Sequence, residues 1–398
     1  MDFKTIFSLL LYIGTFLWGL YLDSSWCKKK SKKQRLFFEI WLYIFLCFGY
    51  MVGSDWRGYE LEYNAGVNRY ETEPISNFFI RDFHKIISDF WLFLGIIKCI
   101  YLWTFLHVIK RLTPYYLSAV VFSLFLILLN MLINNPLRFM IAMIFVNLAV
   151  YYYIEGYTKG FNWKKVIIIG GLIGLSVLSH NSCVAFLAVF PLIYVFRDVA
   201  KWNRIFLLVA YVVVLFLTTN ILAINEFKDY LNMYMMLHGD FQDYSQYAAE
   251  DNSSFFLVGN MLKILFFVLV LISRDKVIGT FKYDKLCYSI TVLYFFLDRV
   301  LLVIPSGFRI ASPLLFFYSV YLVYLLKGYY KIGVLFLVYF FVAYTKELWS
   351  SHIYIPYSNS IYYIMTEHKP YADREIYNYN EYKKRIGHSV ESDTGPKN

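Results

Sequence analysis

The stretch YYLSAVVFSLFLILLNMLINNPLRFMIAMIFVNLAVYYYI, residues 115–154, consists of two apolar runs that meet at a polar corner. A helix needs about 20 apolar residues to cross a bilayer core, and 17–25 is the usual range. The runs at 115–134 and 137–154 fall within that range, and the corner between them places Arg138 at the start of the second run. A chain built from such pairs is expected to be an all-α, polytopic membrane protein.

The same pattern continues along the whole chain. The apolar runs cover residues 3–22, 36–53, 88–109, 115–134, 137–154, 165–179, 183–196, 205–224, 255–272, 286–304, 308–326 and 331–345. Charged residues make up only 17 % of the chain, below the roughly 25 % of soluble domains. We therefore expect about 12 transmembrane helices in a single domain over residues 1–345, followed by a polar tail over 346–398.

Loop charge predicts the orientation, because Lys and Arg collect in cytoplasmic loops. The linker at 23–35 holds the strongest basic cluster, which indicates that it is cytoplasmic and that the N-terminus is outside. Alternation of the spans then gives inner loops with 20 Lys and Arg in total, against 9 in the outer segments before the tail. This orientation puts two large loops, at about 54–87 and 225–254, and the tail on the outer face.

Three arginines lie near predicted outer ends of apolar runs: Arg138, Arg299 and Arg309. Each could extend its guanidinium to the interface while its stem stays in the apolar layer. The alternative is functional, because charge inside a membrane usually lines a cavity, and the planar fork of Arg matches phosphate oxygens. We expect these three side chains to converge on a diphosphate at the outer leaflet.

Two further groups of candidates are predicted on the outer face. His180 lies in a helix corner and is either a polar turn residue or a general base, since the unperturbed pKa of histidine, about 6.5, suits proton transfer at neutral pH. Asp55, Arg57 and Tyr59 open the first large loop as a compact cluster of acid, base and aromatic ring. We expect Asp55 to join His180 as a catalytic residue, and Arg57 and Tyr59 to contact substrate.

Several familiar chemical motifs do not occur in the sequence. It has no Gly-x-x-x-x-Gly-Lys-Ser/Thr loop, no His-Glu-x-x-His and no Cys-x-x-Cys, so ATP hydrolysis and zinc proteolysis are unsupported. We expect no metal and no cofactor. The formal charge of +10 reflects loop orientation in a membrane protein rather than a nucleic-acid partner.

The polar outer motifs occur in a recognisable order. They are Asp55, Tyr59 and Tyr63; Pro136-Leu137-Arg138; Ser179-His180-Asn181-Ser182; Arg299 and Arg309 around a Pro-Gly turn; and Pro356-Tyr357. This pattern, over roughly residues 40–360, resembles the EpsG-like branch of the Wzy-type O-antigen and capsular polysaccharide polymerases. The usual Arg-Gln of the second motif is Arg138-Phe139 here, which keeps the arginine and removes the glutamine.

The resemblance implies a metal-independent glycosyltransferase with a GT-C-like helical architecture. Such an enzyme works on undecaprenyl-diphosphate-linked oligosaccharides at the periplasmic face of the bacterial inner membrane. The growing glycan leaves its lipid diphosphate and is transferred to the non-reducing end of a new lipid-linked repeat unit. Tyr357 then belongs to the substrate site, and membrane lipids and a chain-length regulator are the further partners to consider.

Two alternative functions remain open at this point. A lipid-linked oligosaccharide flippase would also suit 12 spans, although the inner halves of the runs carry little charge beyond Lys98 and Lys263. A membrane O-acyltransferase would use His180 with Asn181, but such enzymes commonly take the acyl donor from the cytoplasmic side, and His180 is predicted on the other side.

Overall fold

The structure is a computed structural model, and its described part is helical. It describes residues 3–24, 32–53, 55–67, 72–219, 258–301, 308–350, 354, 355, 357–361, 376 and 380. Within these residues there is no strand, and one isolated β-bridge joins Gly49 to Asn359. The expected all-α class is confirmed for this part of the chain.

The chain divides into two compact units. Unit 1 comprises Met1–Asn181 and Phe336–Asn398. Its α-helices are α1 (Phe3–Asp23), α2 (Lys32–Leu42), α3 (Trp56–Ala65), α4 (Pro74–Asn77), α5 (Phe90–Leu112), α6 (Tyr116–Ser123), α7 (Leu129–Leu132), α8 (Leu137–Lys159) and α9 (Trp163–Ser179). Short π-helices follow α2, α4 and α6, at Tyr43–Cys47, Phe78–Asp82 and Leu124–Leu128.

Unit 2 comprises Ser182–Leu335. Its α-helices are α10 (Phe186–Phe196), α11 (Arg204–Thr219), α12 (Val258–Val277), α13 (Asp284–Leu301), α14 (Phe308–Ala311) and α15 (Leu315–Gly328). Within it, α13 packs against α11 and α15, and α15 also packs against α12. The last long helix, α16 (Tyr330–Ser350), begins in unit 2 and continues into unit 1.

The core of unit 1 is formed where α8 packs against α5 and α9. The facing side chains are mostly apolar and fully buried, including Met140 and Val146 of α8 and Tyr101 of α5. One polar pair crosses this interface, because Asn147 Nδ2 donates to Thr104 Oγ1 at 3.0 Å. Such interhelical bonds are worth on the order of 0.6 kcal/mol in membrane proteins, so packing supplies most of the stability here.

The end of α2 is capped by a segment from much later in the chain. The helix widens into the π-helix Tyr43–Cys47, and helix ends leave carbonyl oxygens without intrahelical donors. Asn359 Nδ2 donates to the carbonyl of Ile44 at 2.8 Å, and the Tyr357 hydroxyl donates to the carbonyl of Phe45 at 2.6 Å. The segment at 357–360 is therefore part of the structure of unit 1.

Each of the 12 predicted apolar runs overlaps a helix. Among the described residues, six helical segments are long and apolar enough to cross a membrane: Phe3–Asp23, Phe90–Leu112, Leu137–Lys159, Asn181–Lys201, Arg309–Gly328 and Tyr330–Trp349. Two shorter apolar helices cover Tyr116–Leu132 and Arg204–Thr218. The protein is therefore a multi-pass helical membrane protein, whereas the count of 12, the orientation and the GT-C-like arrangement stay predictions.

The structure describes most of the first predicted outer loop and little of the other predicted outer segments. The first outer loop, at about 54–87, is largely described and contains α3 and α4. The second, at 225–254, lies outside the described residues, as do 302–307 and Pro356. Only a few residues of the 346–398 tail are described, so the predicted domain boundary at 345 also stays a prediction.

Candidate functional site

A buried carboxylate joins two of the predicted site residues in unit 1. Glu73 Oε1 lies 2.8 Å from His180 Nδ1, and Glu73 Oε2 accepts a bond from Arg138 Nη1, also at 2.8 Å. The backbone N–H of Asn181 donates to the same Oε1 at 3.1 Å. Glu73 and His180 are only 2 % and 3 % exposed, so this charged cluster is shielded from solvent.

Hydrogen bonds between two segments hold Glu73 in place. The Ser76 hydroxyl donates to the carbonyl of Ser179 at 2.5 Å, and Asn181 Nδ2 donates to Thr72 Oγ1 at 2.9 Å. The start of α4 is thereby tied to the end of α9. Since Glu73 directly precedes α4, these bonds fix its backbone beside His180.

The cluster keeps Glu73 ionised. Burial raises the pKa of its carboxyl, but the hydrogen bond from His180, the charges of His180 and Arg138, and the N–H of Asn181 lower it. The net result is a Glu73 pKa below its ordinary value of 4.5. A carboxylate has no proton to donate, so the bond to His180 requires that Nδ1 carries the proton.

The polar corner before α8 is built against the start of the first large loop. The backbone N–H of Asp55 donates to the carbonyl of Asn134 at 3.2 Å. Gly53 has a φ of +93°, and a Cβ there would overlap the backbone of Ile133. This position therefore needs glycine for two reasons, and the close approach brings Asp55 to the corner that leads to Arg138.

Of the three residues predicted in this loop, Tyr59 contacts the cluster. Its hydroxyl accepts a long bond from Arg138 Nε, at 3.4 Å. Asp55 is half-buried at the start of α3, and Arg57 is exposed. The predicted catalytic role of Asp55 and the substrate contacts of Arg57 and Tyr59 stay predictions.

A second charged cluster lies in unit 2, where two cations share one carboxylate. Asp298 Oδ2 accepts from Arg299 Nη2 at 2.8 Å and from Lys263 Nζ at 2.7 Å. Arg299 is only 1 % exposed. One carboxylate of α13 thus accepts bonds from two basic side chains of different helices or helix positions.

The predicted meeting of the three arginines involves both units. Arg138 belongs to unit 1, whereas Arg299 and the half-buried Arg309 belong to unit 2. Their convergence on one diphosphate stays a prediction. Neither cluster has the composition of a metal site, and among the described residues no group of three or more His, Cys, Asp or Glu could hold a metal ion.

A comparison with protein families shows to which family the chain belongs. A model described as the EpsG family matches residues 32–359, which include both charged clusters. The protein belongs to the EpsG family. Comparison with curated proteins and with solved structures finds no match. The predicted resemblance to EpsG-like proteins is thus confirmed at the level of the family.

In this EpsG-family chain, the predicted substrate residue Tyr357 has structural partners. Its hydroxyl donates to the carbonyl of Phe45 and accepts from Asn359 Nδ2 at 3.0 Å. Its ring packs against Phe45 with the centroids 4.9 Å apart. These contacts favour a role in capping α2, and the substrate role stays a prediction.

Glu73 is the residue of this site that was not predicted from sequence. Glu73 lies in the segment before α4, and its partner Arg138 follows 65 positions later, in α8. The sequence can indicate an acidic partner only within the helix of each arginine, and α8 supplies no acid near Arg138. The only local signal is an acid directly before a proline in a polar loop, which is common in proteins and indicates no particular chemistry.

Proposed function

We propose that this EpsG-family protein is a polymerase of bacterial surface polysaccharide. It transfers the glycan of an undecaprenyl-diphosphate donor to the non-reducing end of a lipid-linked repeat unit at the periplasmic face of the inner membrane. The observation that supports this most strongly is the buried cluster in which one carboxylate holds both Arg138 and His180. The cluster brings together a guanidinium suited to phosphate and an imidazole suited to proton transfer.

The reaction needs two functions that this cluster can supply. The acceptor sugar hydroxyl passes its proton to His180 while its oxygen forms a bond to the anomeric carbon of the donor sugar. The bond from that carbon to the diphosphate oxygen breaks, and the electron pair leaves with the lipid diphosphate. Arg138 offsets the negative charge that develops on the leaving group.

The remaining predicted residues are assigned to substrate binding in the same scheme. Arg299 and Arg309 bind the donor diphosphate, and Lys263 adds to the positive charge beside Arg299. Asp55, Arg57 and Tyr59 contact the acceptor sugars; Asp55 is the second catalytic candidate. The apolar helices provide surfaces for the polyprenyl chains of both substrates.

The proposal is tested with the purified full-length protein in lipid nanodiscs, supplied only with lipid-linked repeat units. A ladder of lengthened glycans on gel electrophoresis is expected. Transport of the substrate across a proteoliposome membrane without lengthening would indicate a flippase instead. Lengthening that depends on an added acyl donor or nucleotide sugar, or its complete absence, contradicts the proposed polymerase.

A further inference from the structure

The two side chains bonded to Glu73 differ in chemical character. One oxygen faces the imidazole of His180 and the other faces the guanidinium of Arg138, each at 2.8 Å. The Arg138 and Glu73 side chains are 11 % and 3 % exposed, so solvent screens their interaction only weakly. A change in charge at either partner is therefore felt at the other through this carboxylate.

The orientation of the imidazole is also constrained from α8. The ring of Phe139 meets the ring of His180 edge to face, with the centroids 5.7 Å apart. Together with the bond to Glu73, this contact leaves the imidazole little freedom to rotate. The proton on Nδ1 is held by the carboxylate, so Nε2 is the ring nitrogen left to exchange a proton with a substrate.

We propose that Glu73 is a positioning residue that fixes the His180 tautomer and couples the proton affinity of His180 to the charge on Arg138. The role of Nε2 as proton acceptor rests on the proposed function, whereas the coupling is a property of the three side chains alone. The negative charge of Glu73 favours a protonated imidazole, and the positive charge of Arg138 opposes it. A phosphate group that binds Arg138 partly neutralises that cation and strengthens His180 as a base.

Within the described part of unit 1, the charged and titratable groups linked to the ring, directly or through Glu73 and Arg138, come from three segments. Glu73 lies in the segment before α4, Arg138 in the first turn of α8, and Tyr59 of α3 contacts Arg138 Nε. Glu73 and Arg138 carry opposite charges. Removing the charge of Glu73 should therefore lower the pH at which His180 is protonated, and removing the charge of Arg138 should raise it. A general loosening of the site would move both variants in the same direction.

The test measures His180 directly, by deuterium exchange at the imidazole C2 carbon, read by mass spectrometry of the peptide that contains it. The full-length protein is compared as wild type, Glu73→Gln, Arg138→Met and Glu60→Gln. Glu60 is the matched control, because it is an acid of the same loop whose carboxylate accepts a bond from Trp91 Nε1 at 3.0 Å. Glutamine keeps an acceptor oxygen at both positions and removes the charge.

We expect the pH midpoint of exchange to fall by about one unit in Glu73→Gln and to rise in Arg138→Met. Glu60→Gln should match the wild type. Equal midpoints in the wild type and Glu73→Gln, or shifts of the same sign in Glu73→Gln and Arg138→Met, overturn the proposal. This readout needs no substrate, so a protein that shows the shifts but never lengthens a glycan would refute only the proposed polymerase.

The catalytic consequence is measured separately on the glycan ladder. The acidic limb of the rate profile should move to lower pH in Glu73→Gln, in step with the exchange midpoint, and the maximal rate should fall. Glu73→Asp retains the charge and should keep the wild-type limb at a reduced rate. A Glu73→Gln profile that keeps the wild-type limb would contradict the positioning role.

Discussion

Each of the two charged clusters of this protein joins one carboxylate to an arginine and a second basic side chain, but the second base differs. In unit 1 one carboxylate, Glu73, lies between Arg138 and His180, so the formal charge is balanced when the imidazole is neutral. In unit 2 the carboxylate Asp298 instead accepts from an amine, Lys263, and a guanidinium, Arg299. In the proposed function, the first cluster therefore holds the base in a fixed geometry, and the second binds the donor diphosphate.

The clusters also differ in how the chain forms them. Asp298 and Arg299 are neighbours in sequence on α13, and Lys263 is added from α12. The side chain of Lys263 is 37 % exposed, which leaves the second cluster open at one end. In contrast, Glu73, Arg138 and His180 come from three separate segments, and none of their side chains is more than 11 % exposed. A tertiary cluster of this kind is more sensitive to the loss of any one member.

The largest effect is expected from His180, because in the proposed reaction this ring takes the proton of the acceptor sugar hydroxyl. His180→Ala should stop glycan elongation at a normal protein level, leaving single repeat units. His180→Gln keeps hydrogen-bonding groups at this position but cannot act as a base. Wild-type elongation by this variant would therefore exclude proton transfer by His180. His107→Ala is the control, because His107 is an exposed histidine of α5. Full elongation by His180→Ala would exclude His180 as the base and leave Asp55 as the second catalytic candidate.

A smaller and different effect is expected in unit 2. Arg299→Ala should raise the half-saturating concentration of lipid-linked glycan by about tenfold or more, because a diphosphate loses a charge-assisted contact worth ~1.5–3 kcal/mol. Arg299→Lys keeps the charge, loses the fork, and should lie between the two. Lys201→Ala, whose side chain is 75 % exposed, serves as the control. If Arg299→Ala changes turnover and leaves the half-saturating concentration unchanged, the two clusters do not differ as described.

The balanced cluster should also contribute stability that depends on pH. The pKa of Glu73 is lowered by folding, so its stabilising effect is present above its ordinary value of 4.5 and is lost as pH falls through the lowered value. Wild type should therefore melt at a higher temperature than Glu73→Gln at pH 7, and the difference should shrink as pH falls below the ordinary value of 4.5. A difference that stays constant over this range would mean that Glu73 charge does not support the fold.

The smallest effect on activity is expected from Tyr357. Tyr357→Phe removes the donor to the Phe45 carbonyl, and an unsatisfied buried acceptor costs about 1–3 kcal/mol. The melting temperature should fall while glycan elongation by the remaining folded protein stays at the wild-type level. A normal melting temperature with lost elongation would restore the substrate role that was predicted for Tyr357 from sequence.

The helices could be predicted from sequence because a long apolar run satisfies its backbone groups within a membrane as a helix. For this reason the runs that begin near residues 88, 137 and 308 coincide with α5, α8 and the helices from Phe308 onward. Arg138 and His180 were predicted on one face of the membrane, and the structure brings them to the same carboxylate. Their predicted placement on one face follows from hydropathy and the alternation of the spans, whereas the shared carboxylate does not.

The partners within the site could not be predicted in the same way. Glu73 reaches Arg138 only because the segment before α4 is tied to the end of α9 by Ser76 and Asn181. Contacts of this kind depend on tertiary packing and leave no periodic signal in the sequence. The contacts of Tyr357 could not be predicted for the same reason, because its bond to the carbonyl of Phe45 joins residues 312 positions apart.

In the proposed mechanism glycan elongation depends on the cluster around Glu73, and variants of Arg138 test this dependence most directly. Elongation of lipid-linked repeat units is measured for purified wild type, Arg138→Lys, Arg138→Ala and Arg81→Ala in nanodiscs. Arg81 is the matched control, since it belongs to the same loop as Glu73 and its side chain is 57 % exposed. We expect a full ladder for wild type and Arg81→Ala, a shortened ladder for Arg138→Lys and none for Arg138→Ala. A full ladder from folded Arg138→Ala would contradict the proposed mechanism.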